Sequence, residues 1–194
     1  MEKNKLVIEK SNSLGGKVWF SFVLFGLVGQ ITWAVENSYF STYIQQTITA
    51  ESWATSATVI FSAIFAAAAT ILSGALMDRI GKRRPFVCYG YIIWGILTMA
   101  FAFFGNEAYA NDAKTITMIV IAFVAMDAIM SFVGSMANDA AFSAWVTDVT
   151  DITNRAFVDT IGSIFPLIAM VLILVGFSGF ANKGQWAEFF AILG

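Results

Sequence analysis

The sequence contains no histidine and a single cysteine, Cys88. A lone cysteine excludes an internal disulfide framework, and without histidine a zinc or haem site has very few ligands to draw on. Charged residues are also scarce, at 12% of the chain against roughly 25% in soluble domains. The formal net charge of −2 gives no basic surplus for a nucleic acid. No phosphate loop, metal cluster or nucleophile–base pair stands out, so the sequence predicts neither an enzyme nor a bound cofactor.

Apolar residues are abundant, at 58% of the sequence with a mean hydropathy of +0.74. A chain this apolar cannot cover itself with polar surface in water, so the composition predicts an all-α, multi-pass membrane protein. Its apolar runs match or exceed the roughly 20 residues that a spanning helix needs, and they are too many for a removable signal peptide. The predicted spans cover about residues 18–48, 52–77, 86–104, 115–146 and 157–180, and a sixth begins before residue 194.

A basic cluster lies between the second and third runs, at residues 74–85, and contains four of the eleven Lys and Arg residues. Basic residues of short loops stay on the cytoplasmic side. We therefore expect a cytoplasmic tail at residues 1–16, a cytoplasmic N-terminus and a location in the plasma membrane. In that orientation only Lys114 and Lys183 lie outside. The nine basic residues inside are Lys3, Lys5, Lys10, Lys17, Arg79, Lys82, Arg83, Arg84 and Arg155.

An acid within the hydrocarbon layer is expensive and is therefore a functional candidate. Glu36 lies near the middle of the first run. On a helix of 3.6 residues per turn, Gln30, Trp33 and Asn37 share one face, and Glu36 lies beside it. Polar groups between aromatic rings are typical of a sugar site, since rings contact C–H surfaces while amides and acids bind hydroxyls. The alternative is that Glu36 and Asn37 only bond to a neighbouring helix.

The fourth run carries a second set of polar residues on one predicted helix face. This face should line a cavity or meet the first run. Asp127 could instead reach the outer interface, and Asp139 the cytoplasmic one; position alone leaves these alternatives open. The set comprises Asp127, Ser131, Gly134 and Asn138 at helical spacing, with Ser131, Ser135 and Asp139 as an adjacent stripe.

The basic stretch at 74–85 is a third candidate, as a conformational switch, in which Gly74 and Gly81 are expected to allow tight packing and a turn. Asp78 can accept hydrogen bonds from arginine side chains across the loop, and such charges can lock one state of a rocking protein. The alternative is that the cluster only fixes insertion topology, which explains the arginines but neither Asp78 nor the paired glycines. The predicted switch residues are Gly74, Asp78, Arg79, Gly81, Arg83 and Arg84.

Two further patterns predict local geometry. Pro166 lies inside the fifth run, where a kink is tolerable if neighbouring helices satisfy the freed carbonyl. Tryptophans near the ends of membrane spans commonly anchor at the interface with water. The tryptophans expected to do so are Trp19, Trp53, Trp94 and Trp186.

The switch residues, at their spacing from Gly74 to Arg84, resemble the loop signature between helices two and three of the major facilitator superfamily. Residues 138–155 resemble the helix-four-to-loop region of the glycoside–pentoside–hexuronide:cation symporters, the melibiose permease group. This resemblance implies part of an N-terminal six-helix bundle and symport of a sugar or glycoside by alternating access, with Asp139 serving the sugar and cation site. The matching positions are Asp139, Phe142, Val146, Thr150 and Arg155.

The sequence departs from that group at two places. Residues 64–70 contain no acid, where those symporters carry cation-binding aspartates in helix two, and the position of their early helix-one acid falls near Ile31. Glu36 is the candidate substitute. The coupling ion therefore stays open between H⁺ and Na⁺, bound at Asp139 or Glu36.

The expected partners follow from the same resemblance. A facilitator has two halves of six helices with the site between them, whereas this sequence predicts five spans and the start of a sixth. We expect a bundle that works with a missing C-terminal half or a partner bundle, within a lipid bilayer and on a small-molecule substrate, a sugar. The alternative is a non-transporting membrane protein or an inactive fragment of a transporter.

Overall fold

The computed structural model describes residues 14–104 and 113–194, and every regular element in these two ranges is helical. Five segments are long and apolar enough to cross a membrane, as the sequence predicts. The expected tail at 1–16 and loop at 107–114 lie mostly outside the described residues. The helices are α1 (Gly16–Thr47), α2 (Ser52–Ile80), α3 (Arg84–Ala100, continued by a 3-10 turn at Phe101–Phe103), α4 (Ala113–Val149), α5 (Arg155–Gly162), α6 (Phe165–Gly176), α7 (Ser178–Asn182) and α8 (Trp186–Leu193).

The turn between α2 and α3 is shorter than the sequence suggests. Asp78 and Arg79 lie in the last turn of α2 rather than in the loop. Gly81 follows in the left-handed conformation, with a φ of 67°, which glycine adopts without the steric cost of a Cβ. Pro85 stands in the first turn of α3, where its missing N–H would have had no helical partner. Only residues 81–83 therefore separate the two helices.

The fourth helix is the longest, at 37 residues. It runs past the predicted end near residue 146 to Val149, so the connection to α5 is residues 150–154 rather than 147–155. Within α4, Ser135–Phe142 forms wider π-helical turns. Such turns are rare and occur frequently at functional sites. Asn138 and Asp139 both lie in this irregular section.

The fifth segment consists of two helices rather than one. α5 ends at Gly162 and α6 begins at Phe165, so the break lies directly before Pro166, in the first turn of α6. Proline has no N–H to donate, and its ring clashes with the carbonyl four residues earlier. The kink that the sequence allows for at Pro166 is present, and the segment ends at Gly176 rather than near residue 180.

Small residues bring the helices close together. α2 packs along α4, and α1 packs against α6. Where α3 crosses α4, a Cβ built on Gly90 would lie 2.6 Å from the Ala137 Cβ. Lipid tails are as apolar as the side chains, so leaving lipid gives a helix no hydrophobic gain. Membrane helices therefore associate through close contacts of this kind. The buried positions of α2 are Ala54, Thr58, Ala69, Ser73 and Met77.

An aromatic cluster closes the end of the bundle opposite the turn between α2 and α3. Tyr43 of α1, Phe101 after α3 and Phe190 of α8 are fully buried there. The Tyr43 and Phe190 ring centroids are 5.0 Å apart, and the Tyr43 hydroxyl donates to the Phe101 carbonyl at 2.9 Å. The short helix α8 is therefore fixed to the ends of α1 and α3.

Two tryptophans expected at the membrane interface are buried instead. Trp94 is 1% exposed and Trp186 is 4% exposed. Trp94 packs edge-on against Trp33 at a centroid distance of 5.2 Å, and Trp186 lies 5.0 Å from Tyr43. The prediction was wrong for both, because a position near the end of a span does not reveal whether another helix covers it. The assignment of Trp19 and Trp53 as anchors stays a prediction.

Substitution of Gly90 by alanine should destabilise the bundle, because the added methyl overlaps the Ala137 Cβ and forces α3 away from α4. Overpacking of this kind costs about 1–3 kcal/mol. Thermal unfolding in detergent, followed by circular dichroism, measures the effect. The matched control is Gly176→Ala, since no atom lies within 4 Å of a Cβ at that position. Equal melting temperatures for the two variants would contradict the close approach of α3 and α4.

Candidate functional site

Glu36 lies where α1, α2 and α4 meet. The Ser62 hydroxyl of α2 donates to Glu36 Oε1 at 2.6 Å, and the Ser131 hydroxyl of α4 donates to the same oxygen at 2.9 Å. The two serine oxygens are themselves 2.8 Å apart. Glu36 Oε2 is buried and has no hydrogen-bond partner within the described ranges. We call the Glu36, Ser62 and Ser131 oxygens the oxygen triangle, because they close a ring of contacts between three helices.

The sequence reasoning missed Ser62, although a signal for it exists. Thr58, Ser62 and Ala66 follow each other at four-residue steps on α2, and Thr58 is buried. Residues four apart lie one turn apart on the same helix face. Ser62 therefore belongs to the small-residue face that packs along α4, where a hydroxyl can reach a buried acid. The sequence signal for Ser62 is therefore a hydroxyl on the face of α2 whose other members are small.

Asp127 is buried inside the bundle, one turn before Ser131 on α4. Its side chain is 0% exposed, and neither carboxylate oxygen has a hydrogen-bond partner among the described residues. Asp127 is therefore enclosed by the bundle rather than exposed on its surface. Buried polar groups are nearly always hydrogen-bonded, and an exception calls for an explanation. A buried, unpartnered carboxyl is such an exception.

Asp139 is exposed on the π-helical section of α4 and is held by its own helix. The Ser135 hydroxyl donates to Asp139 Oδ2 at 2.8 Å, and Asn138 Nδ2 donates to Oδ1 at 2.9 Å. Asn138 is buried, and the Tyr91 hydroxyl of α3 lies 2.8 Å from its Oδ1. The same hydroxyl lies 2.8 Å from the Phe25 carbonyl oxygen of α1. Asn138 and Tyr91 thus connect Asp139 to α1 and α3.

The acids and serines of α4 form one line. Asp127, Ser131, Ser135 and Asp139 recur every four residues, so they follow one side of the helix. Glu36 meets this line at Ser131, and the charges of Asp127 and Asp139 both act on Glu36. The expected contact between the polar face of α4 and α1 is therefore present. An acid bonded to two hydroxyls, with the charges of two further carboxyls acting on it, can attract a cation or hold and release a proton.

The remaining polar residues predicted on α1 lie beside this line without joining it. Trp33 and Gln30 are partly buried, and Asn37 is exposed. Asn37 Nδ2 donates to the Trp33 carbonyl at 2.8 Å, one turn earlier on the same helix. Within the described residues none of the three is hydrogen-bonded to Glu36. The Trp33 ring instead packs against Trp94 of α3, at a centroid distance of 5.2 Å.

A charged cluster joins three helices at the end of the bundle that carries the turn between α2 and α3. Arg83 lies 2.7 Å from Asp148 Oδ2 of α4 and 3.7 Å from Asp78 Oδ1 of α2. Its guanidinium also donates to the Ala144 carbonyl of α4 at 2.6 Å. The interaction between Asp78 and an arginine across the turn is thus present, and Asp148 is a partner that the sequence reasoning missed.

The other predicted switch residues have smaller structural roles. Arg79 and Arg84 are exposed. Gly81 forms the turn, as expected for a left-handed glycine. A Cβ on Gly74 would meet no atom within 4 Å, so the expectation of tight packing at Gly74 was wrong. Within the described ranges no group of three His, Cys, Asp or Glu side chains is placed to hold a metal ion.

Replacing Arg83 by alanine should lower the stability of this end of the bundle by about 1 kcal/mol, because the ion pair is partly exposed to solvent. Arg83→Lys should recover only part of the loss, since an ammonium cannot reproduce the planar fork that reaches two helices. Thermal unfolding in low-salt detergent checks both variants. Arg79→Ala is the matched control, and an equal loss there would show that Arg83 has no special bridging role.

Comparison of the chain with protein-family models, with curated proteins and with solved structures found no match. The interpretation of the acids of α1 and α4 and of the Arg83 cluster therefore rests on their geometry alone.

Proposed function

We propose that this chain is the N-terminal bundle of a secondary active transporter that couples a sugar or glycoside to a cation, H⁺ or Na⁺, by alternating access. The observation that carries the proposal is the line of carboxyls and hydroxyls inside a membrane-length bundle, with Glu36 held by Ser62 and Ser131 from two other helices. Ionisable groups inside a membrane bundle mark ion or substrate pathways.

A purely structural role accounts for the hydrogen bonds of only one of the two Glu36 carboxyl oxygens. Two hydroxyls satisfy Oε1, as they would in a helix-packing contact. Oε2 and both oxygens of Asp127 have no such partners within the described residues. Leaving a buried polar group unpaired costs about 1–3 kcal/mol, and more for a charged group. A bundle that needed only packing would be more stable with apolar side chains at both positions, so these acids favour a role in binding.

The surface beside the acids supports a polyhydroxylated substrate. Trp33 and Tyr91 bring partly buried aromatic rings that both contact Trp94, and Asp139 brings an exposed carboxylate. Sugars bind to such combinations, since rings cover C–H faces while amides and acids bind hydroxyls. The resemblance of residues 138–155 to the melibiose permease group points to the same substrate class.

Alternating access needs an element that differs between two states, and the bundle offers two. The Arg83 cluster holds α2, α3 and α4 together at one end through partly exposed contacts, which a rocking motion can break. The π-helical turns of α4 place Asn138 and Asp139 in a section whose hydrogen bonding can rearrange. A cation bound at the acids shifts the balance between the states by its difference in affinity for them.

Asp139→Asn in the transporter that contains this bundle should abolish accumulation of the solute, since the amide keeps the shape of the carboxylate but not its charge. Uptake of radiolabelled methyl galactoside and methyl glucoside into cells, with the protein level checked by immunoblot, measures the effect. Asp159→Asn is the control, because Asp159 is an exposed acid that forms an ion pair with Arg155 on its own helix. Accumulation by Asp139→Asn at the level of this control would remove Asp139 from the mechanism.

A further inference from the structure

We propose that Glu36, together with Ser62, Ser131 and Asp127, forms a proton-binding site, and that the coupling cation of this bundle is a proton rather than Na⁺. The coupling role rests on the proposed function, whereas the presence of the proton does not. The bound proton comes from water and returns to it, so no other reactant is involved.

The three contacts of the oxygen triangle need three hydrogens, one more than the two hydroxyls supply. The contacts between Glu36 Oε1 and the two serine oxygens, and between the serine oxygens themselves, measure 2.6, 2.9 and 2.8 Å, and each is short enough to be a hydrogen bond. Each hydroxyl supplies one hydrogen. With an ionised Glu36, both hydrogens point to Oε1, and the contact between Ser62 and Ser131 has none. A proton on Glu36 supplies the third hydrogen, so that each oxygen of the ring donates once.

Asp127 points to the same conclusion by a separate observation. Its carboxyl is 0% exposed, its two oxygens have no hydrogen-bond donor among the described residues, and its charge interacts with that of Glu36. Two ionised carboxyls would repel each other across a medium with little water to screen them. A proton held within the pair removes one of the two charges.

Among the described residues, no positively charged side chain forms an ion pair with Glu36 or Asp127. The ion pairs there involve Arg83 and Arg155, at the end of the bundle that carries the turn between α2 and α3. The groups that face Glu36 are hydroxyls and carboxyls: Ser62 on α2, with Ser131, Asp127 and Asp139 on α4. On α3, the Tyr91 phenol is hydrogen-bonded to Asn138, and the charge of Asp139 acts on it.

The arrangement suits a proton better than a metal cation. A hard cation takes about six oxygen ligands or more, with their lone pairs directed at the ion. Here the oxygens of Glu36, Ser62 and Ser131 are directed at one another at hydrogen-bond distance. Na⁺ would have to open the triangle and part α2 from α4, whereas a proton completes it.

Infrared spectroscopy of the whole chain in liposomes of neutral lipid tests the proposal directly. A protonated carboxyl has a carbonyl stretch that a carboxylate lacks and that shifts in D₂O. We expect this band at neutral pH, with loss of intensity in Glu36→Gln and in Asp127→Asn. Glu51→Gln, an exposed glutamate outside the helices, should keep the full band. Circular dichroism confirms that each variant retains its helical content.

Two further arms make the result decisive. Replacing choline by Na⁺ at constant pH should leave the band unchanged, and Ser62→Ala or Ser131→Ala should shift its frequency, because the ring that includes the acid is broken. A spectrum without a band that depends on Glu36 would overturn the proposal, as would loss of the band on addition of Na⁺. If the band is present but the complete transporter accumulates no sugar, the proton site stands and the transport proposal fails.

Discussion

The carboxyl of Glu36 has to be hydrogen-bonded, because an unpaired acid in a low-dielectric bundle costs far more than the same acid in water. Two hydroxyls meet that requirement at Oε1, and they come from two other helices, Ser62 on α2 and Ser131 on α4. The bonds form only if α1, α2 and α4 approach closely. The packing of α1, α2 and α4 against one another is thus coupled to the hydrogen bonding of Glu36.

Close approach depends on small side chains. Along α2 the buried positions include Ala54, Ala69 and Ser73, which leave room for α4 to lie against the helix. Gly90 does the same for α3 and α4. At one end of the bundle an aromatic cluster fixes α8 to α1 and α3, and at the other end Arg83 bridges α2 and α4. The polar line lies between a firmly packed end and an end held by charge.

α4 combines the features that a coupling helix needs. It carries Asp127 and Asp139 at opposite ends of a line of serines, and its π-helical turns surround the second acid. A proton that binds near Glu36 changes the charge acting on Asp139, since the two groups interact. In the proposed transporter this electrostatic link joins cation binding on α1 to the substrate surface beside Asn138 and Trp33.

The run lengths and turn residues of the sequence determined five apolar helices, the break before Pro166 and the polar line on α4, because helical period and proline chemistry are local properties. Only the tertiary structure decided that Asp127 and Trp94 are buried, that Ser62 meets Glu36, and that Arg83 pairs with Asp148. Period places residues on a face of their own helix, but it does not specify which neighbour covers that face or how the helix is rotated against it. Which helix covers a face, and how each helix is rotated, is set by the packing of all the helices together. The candidate site consists of side chains that this packing brings together.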